Sequence, residues 1–439
     1  METEATARSA SIEILNEFSN SNHLDFSFAD ELEHRDRARV REYVQGIMRR
    51  RLYLDFLIGS FSNVEMEQMN ERLKNILRLS VYELLFMDGT PDYAAINESV
   101  EIAKHSLGHK TGELVNAILR NIQRDIKNLP QPKFKDRNKL ISTTFSHPEW
   151  MVKRWVKRFG EREAFKLMQA NNKRPEHYIR VNTLRTKPEY FKLRMEKNDI
   201  DFEESEWLPG YFKVHQLGSI FQKGWFQKGF CQVQDIAAGF APYILDPEPG
   251  ENIYDLCAAP GTKSILLADL MENEGSILAI DIHGEKLYQL SESALTYEAE
   301  IIKVRRGDAT DIELPATEGV LLDAPCTGTG VLAKRADLRW RRTEADLNEA
   351  VELQKKLLDS AAGLVSPGGR LVYSTCSLEP EENMDQVNSF LERHPEFKLQ
   401  ELDDTLPEEV LSEDLKSYQT LPHKHHCDGH FGVLMVKED

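Results

Sequence analysis

No segment of the chain comes near the roughly 18 consecutive apolar residues that a membrane helix requires, so no membrane partner is expected. The polar, mixed-charge start carries no secretory signal, and the expected compartment is the cytoplasm. Cysteine is scarce: the five, Cys231, Cys257, Cys326, Cys376 and Cys427, form no CxxC pair and no framework spacing. That excludes a disulfide-stapled scaffold and fits free thiols in a reducing compartment. The cluster His423, His425, His426 and Cys427 matches no common zinc spacing, so no metal is expected. Positive charge is also in deficit, 55 Lys+Arg against 73 Asp+Glu for a net −18 at pH 7. A surface that binds polyanions along the whole chain is thereby disfavoured.

The deficit is uneven. Residues 131–230 hold 21 Lys+Arg against 12 Asp+Glu, a net +9, between flanks of net −5 (1–130) and −22 (231–439). A basic insert between acidic flanks is the footprint of local polyanion contact.

At 439 residues the chain exceeds what one hydrophobic core organises, and its patterning divides it in three. Residues 1–130 read as an all-α bundle. Apolar residues recur at helical spacing at Ile12, Leu15 and Phe18, at Val40, Tyr43, Val44, Ile47 and Met48, at Leu73, Ile76, Leu77 and Val81, and at Leu114, Val115, Ile118, Leu119 and Ile122. Gly and Pro are confined to turns such as 89–92. Residues 131–231 read as a basic linker and a small α+β module. Ser146, Pro148 and Glu149 have capping-box spacing and predict a helix start, followed by Lys153, Arg154, Lys157 and Arg158 along one side. A strand over 178–184, a helix over 188–198 and short strands near Phe202, 212–214 and 230–233 follow. With Trp225 and Phe226 read as exposed aromatics, this module suits RNA.

Residues 232–439 alternate strand and helix, which predicts an open, doubly wound α/β sheet of Rossmann type. Strands are expected at 252–256, 276–281, 301–305, 319–322 and 370–374, with a helix over 344–364 between the last two. In such sheets ligands bind beyond the carboxyl ends of the strands. The first strand ends in Cys257-Ala258-Ala259-Pro260-Gly261-Thr262-Lys263, a small-residue turn before a helix. Asp281, at the end of the next strand, stands where an acid accepts ribose hydroxyls. The turn is neither GxGxxG nor a P-loop, which favours a nucleotide without pyrophosphate, such as S-adenosylmethionine. Asp308, in Arg-Gly-Asp-Ala-Thr at 306–310, is a candidate for an adenine amine. Two apolar strands end in Asp323-Ala-Pro-Cys326 and in Thr-Cys376-Ser, so both cysteines are expected in one cleft. Carbon 5 of a pyrimidine becomes nucleophilic only after a thiolate adds to carbon 6. Two thiols and one carboxylate suit that sequence, one thiol adding and one assisting release; pattern alone does not order them.

The segments 36–46 (Asp-Arg-Ala-Arg-Val-Arg-Glu-Tyr-Val-Gln-Gly), 79–85 (Leu-Ser-Val-Tyr-Glu-Leu-Leu), 95–103 and 115–120 make the front of the chain resemble the NusB family of RNA-binding bundles. From about residue 148 to 437, the paired Asp-Ala-Pro-Cys and Thr-Cys-Ser motifs make it similar to the Nol1/Nop2/Sun family of RNA 5-methylcytosine methyltransferases. The resemblance implies Cys376 as nucleophile on carbon 6, Cys326 as the thiol that helps release product, and Asp323 orienting and protonating the ring. It further implies S-adenosylmethionine held by residues 257–263, Asp281, Asp308 and Asp323. With the NusB-like front, the implied partner is small-subunit (16S) rRNA bound by a monomer, with no DNA. Thr262 and His430 depart from the family's usual glycine and phenylalanine. Methylation of tRNA or 23S rRNA, and a non-catalytic rRNA-binding assembly factor, are the rival expectations.

Overall fold

The computed structural model describes residues 6–87, 89, 91–402 and 405–438; of the turn expected at 89–92, Thr90 lies outside them. The chain forms two compact units, one of Met1–Lys173 with Leu332–Arg341, the other of Arg174–Val331 with Arg342–Asp439. Among the described residues no helix is long and apolar enough to cross a membrane.

The first unit is helical. Helices Ala7–Ser21, His34–Ser60, Glu71–Phe86, Asp92–Leu107 and His109–Arg124 turn their apolar stripes onto one core that includes Phe18, Tyr43, Ile47, Leu77 and Ile118. Thr6 and Asn70 cap the first and third through side-chain oxygens. Helices Arg137–Phe145 and Glu149–Asn171 follow, the latter broken at Gly160, whose φ is 77°.

The capping box expected at Ser146 is absent. Ser146 instead ends the preceding helix in the left-handed region, φ 56°, and Pro148 stands at the N-cap of the next helix with no side-chain cap. Its hydroxyl oxygen is taken by the backbone N–H of Leu52 at 2.9 Å, a partner 94 residues away that no local spacing reveals.

The segment Leu332–Arg341 joins this bundle although its chain neighbours belong to the other unit. It is fastened by Arg339, whose guanidinium is fully buried and donates to the carbonyls of Arg49 (3.0 Å), Ser146 (3.2 Å) and Asn171 (2.6 Å) and to Oδ1 of Asn172 (2.6 Å). Trp340 Nε1 adds a bond to Met48 O at 2.9 Å. Burial, and then the charges of Arg49 and Arg50, push the Arg339 pKa down. Its stabilising value lies in the acceptors it satisfies, because an orphaned buried carbonyl costs about 1–3 kcal/mol. Arg339→Met is expected to destabilise this unit by on the order of 3 kcal/mol, read as an earlier unfolding transition in a denaturant titration. An unchanged midpoint would refute that role.

The second unit holds two sheets. Strands β1 (His177–Val181), β2 (Phe202–Glu204), β3 (Tyr211–Val214) and β4 (Cys231–Val233) pair antiparallel in the order β2-β3-β1-β4, against helices Pro188–Glu196 and Leu217–Gln222. Trp225 and Phe226 are not exposed: they retain 5% and 9% of their surface. Trp225 meets Phe191 edge-on at 5.2 Å and Phe226 meets Phe221 at 4.5 Å, so both fill this module's core. Arg180 of β1 makes a buried ion pair with Asp269, on the helix Thr262–Leu270 of the larger domain. Asp269 Oδ1 also accepts from the Thr183 N–H at 3.0 Å.

The larger sheet contains β5 (Asn252–Leu256), β6 (Ser276–Asp281), β7 (Ile302–Arg306), β8 (Thr317–Asp323), β9 (Val365–Thr375), β10 (Phe397–Leu399), β11 (Tyr418–Gln419) and β12 (Phe431–Lys437). Its order is β10-β12-β9-β8-β5-β6-β7, with β11 beside β12. β7, β6, β5, β8 and β9 run parallel, and β12 is antiparallel to β9. From β5 the chain winds one way through β6 and β7, then returns to β8 and β9 on the other side. A crevice opens at such a switch point, at the carboxyl ends of β5 and β8.

Candidate functional site

Every candidate residue from the sequence lies at or just past the carboxyl ends of β5 to β9. After β5 the backbone turns through Cys257 with φ 62° and Gly261 with φ 102°. A Cβ on Gly261 would lie 2.4 Å from Leu290 Cγ, so only glycine fits. Asp281, ending β6, accepts from the backbone N–H of Ala259 (3.1 Å) and of His283 (2.9 Å), which ties the turn to the second strand. Asp308 sits on the loop after β7 with one oxygen engaged by its own Thr310, a local turn that draws its pKa down.

Lys263, in the first turn of its helix, is buried and ion-pairs with Asp323 at the end of β8. Ser374 Oγ donates to the same carboxylate at 2.8 Å. Burial raises the Asp323 pKa, but the charges of Lys263 and His430 and these hydrogen bonds outweigh it, so the carboxyl is held below its ordinary value. The Cys257 thiol is pushed up by burial and then by the charges of Asp281, Asp255, Asp323 and Asp308. It packs as a neutral group and is no nucleophile.

Beyond β8 and β9, Cys326 and Cys376 bring their sulfurs to 3.3 Å. Cys326 is held well above its ordinary pKa by its hydrogen bond to Cys376, by burial, and by the charges of Glu382 and Asp323, so it keeps its proton. Around the pair lies a buried network that sequence reasoning missed. Glu382 Oε1 accepts from the Thr327 N–H (2.8 Å) and from Gln354 Nε2 (3.0 Å), while Oε2 accepts from the Thr327 and Ser377 hydroxyls. Gly330 N–H donates to Cys376 O at 2.9 Å.

Sequence reasoning also missed Asp255, inside β5. It is fully buried, its Oδ2 accepting from Ser264 Oγ at 2.6 Å, and burial pushes its pKa up to about 7. The sign follows from linkage. A carboxyl raised on folding stabilises most below its unfolded value near 3.8, and that contribution is lost as pH climbs toward 7. Asp255→Asn, which still offers Ser264 an acceptor, is expected to lack this loss. The wild type should therefore fall behind the variant between pH 4 and 7, by at most about 1.4 kcal/mol per pH unit. Parallel stability curves over that range would contradict the assignment.

The donor set suits a particular kind of ligand. Asp255, Asp281, Asp308 and Asp323 surround the turn with Lys263 as the partner cation, an environment hostile to phosphates and favourable to hydroxyls and positive charge. Among the described residues, no group of three or more His, Cys, Asp or Glu is arranged to hold a metal ion.

Three family models match the chain: 16S rRNA methyltransferase RsmB/F over residues 242–435, the NusB family over 5–124, and an RsmF/B-like ferredoxin-like domain over 147–220. The probable ribosomal RNA small subunit methyltransferase B of Bacillus subtilis is 33% identical, over 93% of this chain and 92% of that protein. Ribosomal RNA small subunit methyltransferase B of Pectobacterium atrosepticum is 31% identical, over 92% and 91% respectively. A solved crystal structure, that of PH0851, is 29% identical and superposes with a TM-score of 0.82 over the whole of both chains. A NusB-type helical domain, a ferredoxin-like module and a Rossmann-like methyltransferase domain thus succeed one another, and the chain belongs to the RsmB/F family of 16S rRNA methyltransferases.

Proposed function

We propose that this protein methylates carbon 5 of a cytidine in small-subunit (16S) rRNA, using S-adenosylmethionine and a covalent cysteine–cytosine adduct. The observation that carries this reading is the contact of two thiols at 3.3 Å beside the Asp323 carboxylate. One thiol at a strand end is usually a packed hydrophobe, but two in contact, with a carboxylate close enough to raise the pKa of one, match the needs of pyrimidine carbon 5. The names of the relatives support rRNA as substrate.

In this reading Cys376 adds to carbon 6 and makes carbon 5 nucleophilic. S-adenosylmethionine supplies an electrophilic methyl group when bound. Asp281 would hold its ribose hydroxyls, the 257–263 turn its backbone-facing side, and Asp308 its base. Asp323, kept ionised beside Lys263, would take the proton that the Cys376 thiol releases on addition and pass it to the ring nitrogen, orienting the ring as it does so. After transfer, carbon 5 would give its proton to solvent water as the carbon–sulfur electrons leave on Cys376, and the ring nitrogen would return its proton to Asp323. Cys326, which retains its proton, would donate it in a hydrogen bond to the departing Cys376 sulfur 3.3 Å away and so stabilise it as a thiolate. The target base must be unpaired or flipped for a half-buried thiol to reach it. The basic stretch 131–230 would supply the grip on phosphates that the acidic remainder lacks.

The test uses small-subunit rRNA, labelled S-adenosylmethionine, the wild type, Cys326→Ala and Cys376→Ala. Cys326→Ala is expected to accumulate RNA-linked protein on a denaturing gel. Cys376→Ala should form no adduct and lose activity by about 10³-fold or more. Exchanged outcomes would exchange the thiols' roles. Methylation of tRNA or 23S rRNA alone would move the substrate, and binding without transfer by the wild type would leave an assembly factor.

A further inference from the structure

We propose that Glu382 is the positioning residue of the two-thiol centre. Its single carboxylate binds the residue that follows each cysteine, and so holds the two sulfurs in contact. The catalytic consequence rests on the cytosine-5 reading above, whereas the geometry does not.

Glu382 lies in Glu-Pro-Glu-Glu-Asn at 379–383, directly after the second cysteine motif. An acidic run broken by proline is ordinarily a solvated turn, yet Glu382 has no exposed surface. A buried carboxylate persists only where its oxygens are satisfied. Here Oε1 accepts from the Thr327 N–H (2.8 Å) and from Gln354 Nε2 (3.0 Å), and Oε2 accepts from the Thr327 and Ser377 hydroxyls. Thr327 follows Cys326 and Ser377 follows Cys376, so both cysteine loops converge on one side chain. The remaining bonds align with this arrangement. Gln354, on the helix Glu344–Leu364, also donates to Pro325 O at 3.0 Å, gripping the first loop on the other side of its cysteine. Tyr373 of β9 donates to Glu382 O at 2.7 Å, and Asn383 donates to Ser377 O at 2.9 Å. Neither loop is in regular structure, so without the bridge each would wander over its own range of conformations.

An amide in the same place is a weaker bridge. Its oxygen replaces Oε1, but its nitrogen meets two hydroxyls as a donor, and Ser377 Oγ already accepts from the Glu379 N–H at 3.1 Å. Alanine removes all four bonds. A graded loss is therefore expected, with Glu382→Gln between wild type and Glu382→Ala.

The experiment reads sulfur proximity without substrate. Dibromobimane, which fluoresces only when both arms have reacted with thiols, is added to the full-length wild type, Glu382→Gln and Glu382→Ala, with Cys326→Ala as blank and the bridged peptide mapped. Thermal unfolding of each variant is measured alongside. Bridging of Cys326 to Cys376 is expected to slow about 3-fold in Glu382→Gln and 10-fold or more in Glu382→Ala. In the methylation assay kcat should fall in the same order while KM for rRNA holds. Wild-type bridging rates in Glu382→Gln and Glu382→Ala would overturn the proposal, as would a raised KM with unchanged kcat. If Glu382→Ala fails to fold, Glu382→Gln decides: slowed bridging at an unchanged melting temperature supports the role, and unchanged bridging ends it. If the wild type bridges but methylates no RNA, the cytosine-5 reading fails and the positioning role stands.

Discussion

The parallel register of β8 and β9 sets every distance in the candidate site. It pairs Leu322 with Tyr373 and Asp323 with Ser374, so the two strands end side by side, and Ser374 reaches the Asp323 carboxylate at 2.8 Å. Cys376 stands two residues beyond Ser374, and Cys326 three residues beyond Asp323. A slip of one residue would turn Asp323 to the opposite face and separate the thiols, because side chains alternate along a strand. The register is protected by burial on both faces: Val320, Leu321, Leu322, Leu371, Val372 and Tyr373 are all fully buried. Placing one of them in water would cost about 1.5–3 kcal/mol. The chemistry is thus positioned by a packed apolar interior that takes no part in it.

The neighbouring turn after β5 is organised by charge. Four carboxylates bear on Cys257, and Lys263 is the cation paired among them. The consequences diverge by position. Asp323, next to that cation, stays ionised, whereas Asp255, deeper and bonded to a neutral hydroxyl, is pushed up to about 7. Carboxylates driven apart in this way, one by a neighbouring cation and one by burial, mark a candidate site. A ligand bringing its own positive charge would relieve the surplus of acid, which is a physical reason for a sulfonium compound to fit where a phosphate would not.

The framework was legible because strongly apolar runs and helical stripes obey local rules. The helix Glu344–Leu364 lies where its periodicity puts it, and its Thr343–Asp346 capping box is a local signal. The two cysteines were legible for the same reason, each standing just past a buried run. What was hidden depends on partners far away in the chain. Ser146 has helix-start spacing with Pro148 and Glu149, but the Leu52 N–H claims its hydroxyl. Trp225 and Phe226 sit among strands of three to five residues, too short for alternation to show which face is buried. Glu382 meets Thr327 and Gln354, 55 and 28 residues distant, so nothing in its own acidic surroundings signals its burial.

The excursion Leu332–Arg341 leaves the second unit close in sequence to the same centre. It begins six residues after Cys326, belongs to the helical unit, and returns at Arg342, whose Nε donates to Thr327 O at 3.3 Å. The loop that carries Cys326 is thus held by β8 before the cysteine and by the Arg342–Thr327 bond after it. Glu382 orders the stretch between those two anchors, through the N–H and hydroxyl of Thr327. Gly330 belongs to the same economy. A Cβ there would lie 2.1 Å from Gly429 O and 2.8 Å from Cys376 O, so glycine alone lets three backbone segments meet beneath the thiols. Backbone proximity brings the two loops together, and the Glu382 carboxylate fixes the sulfurs within them. That division is why a bridge of one carboxylate suffices to keep two sulfurs in contact.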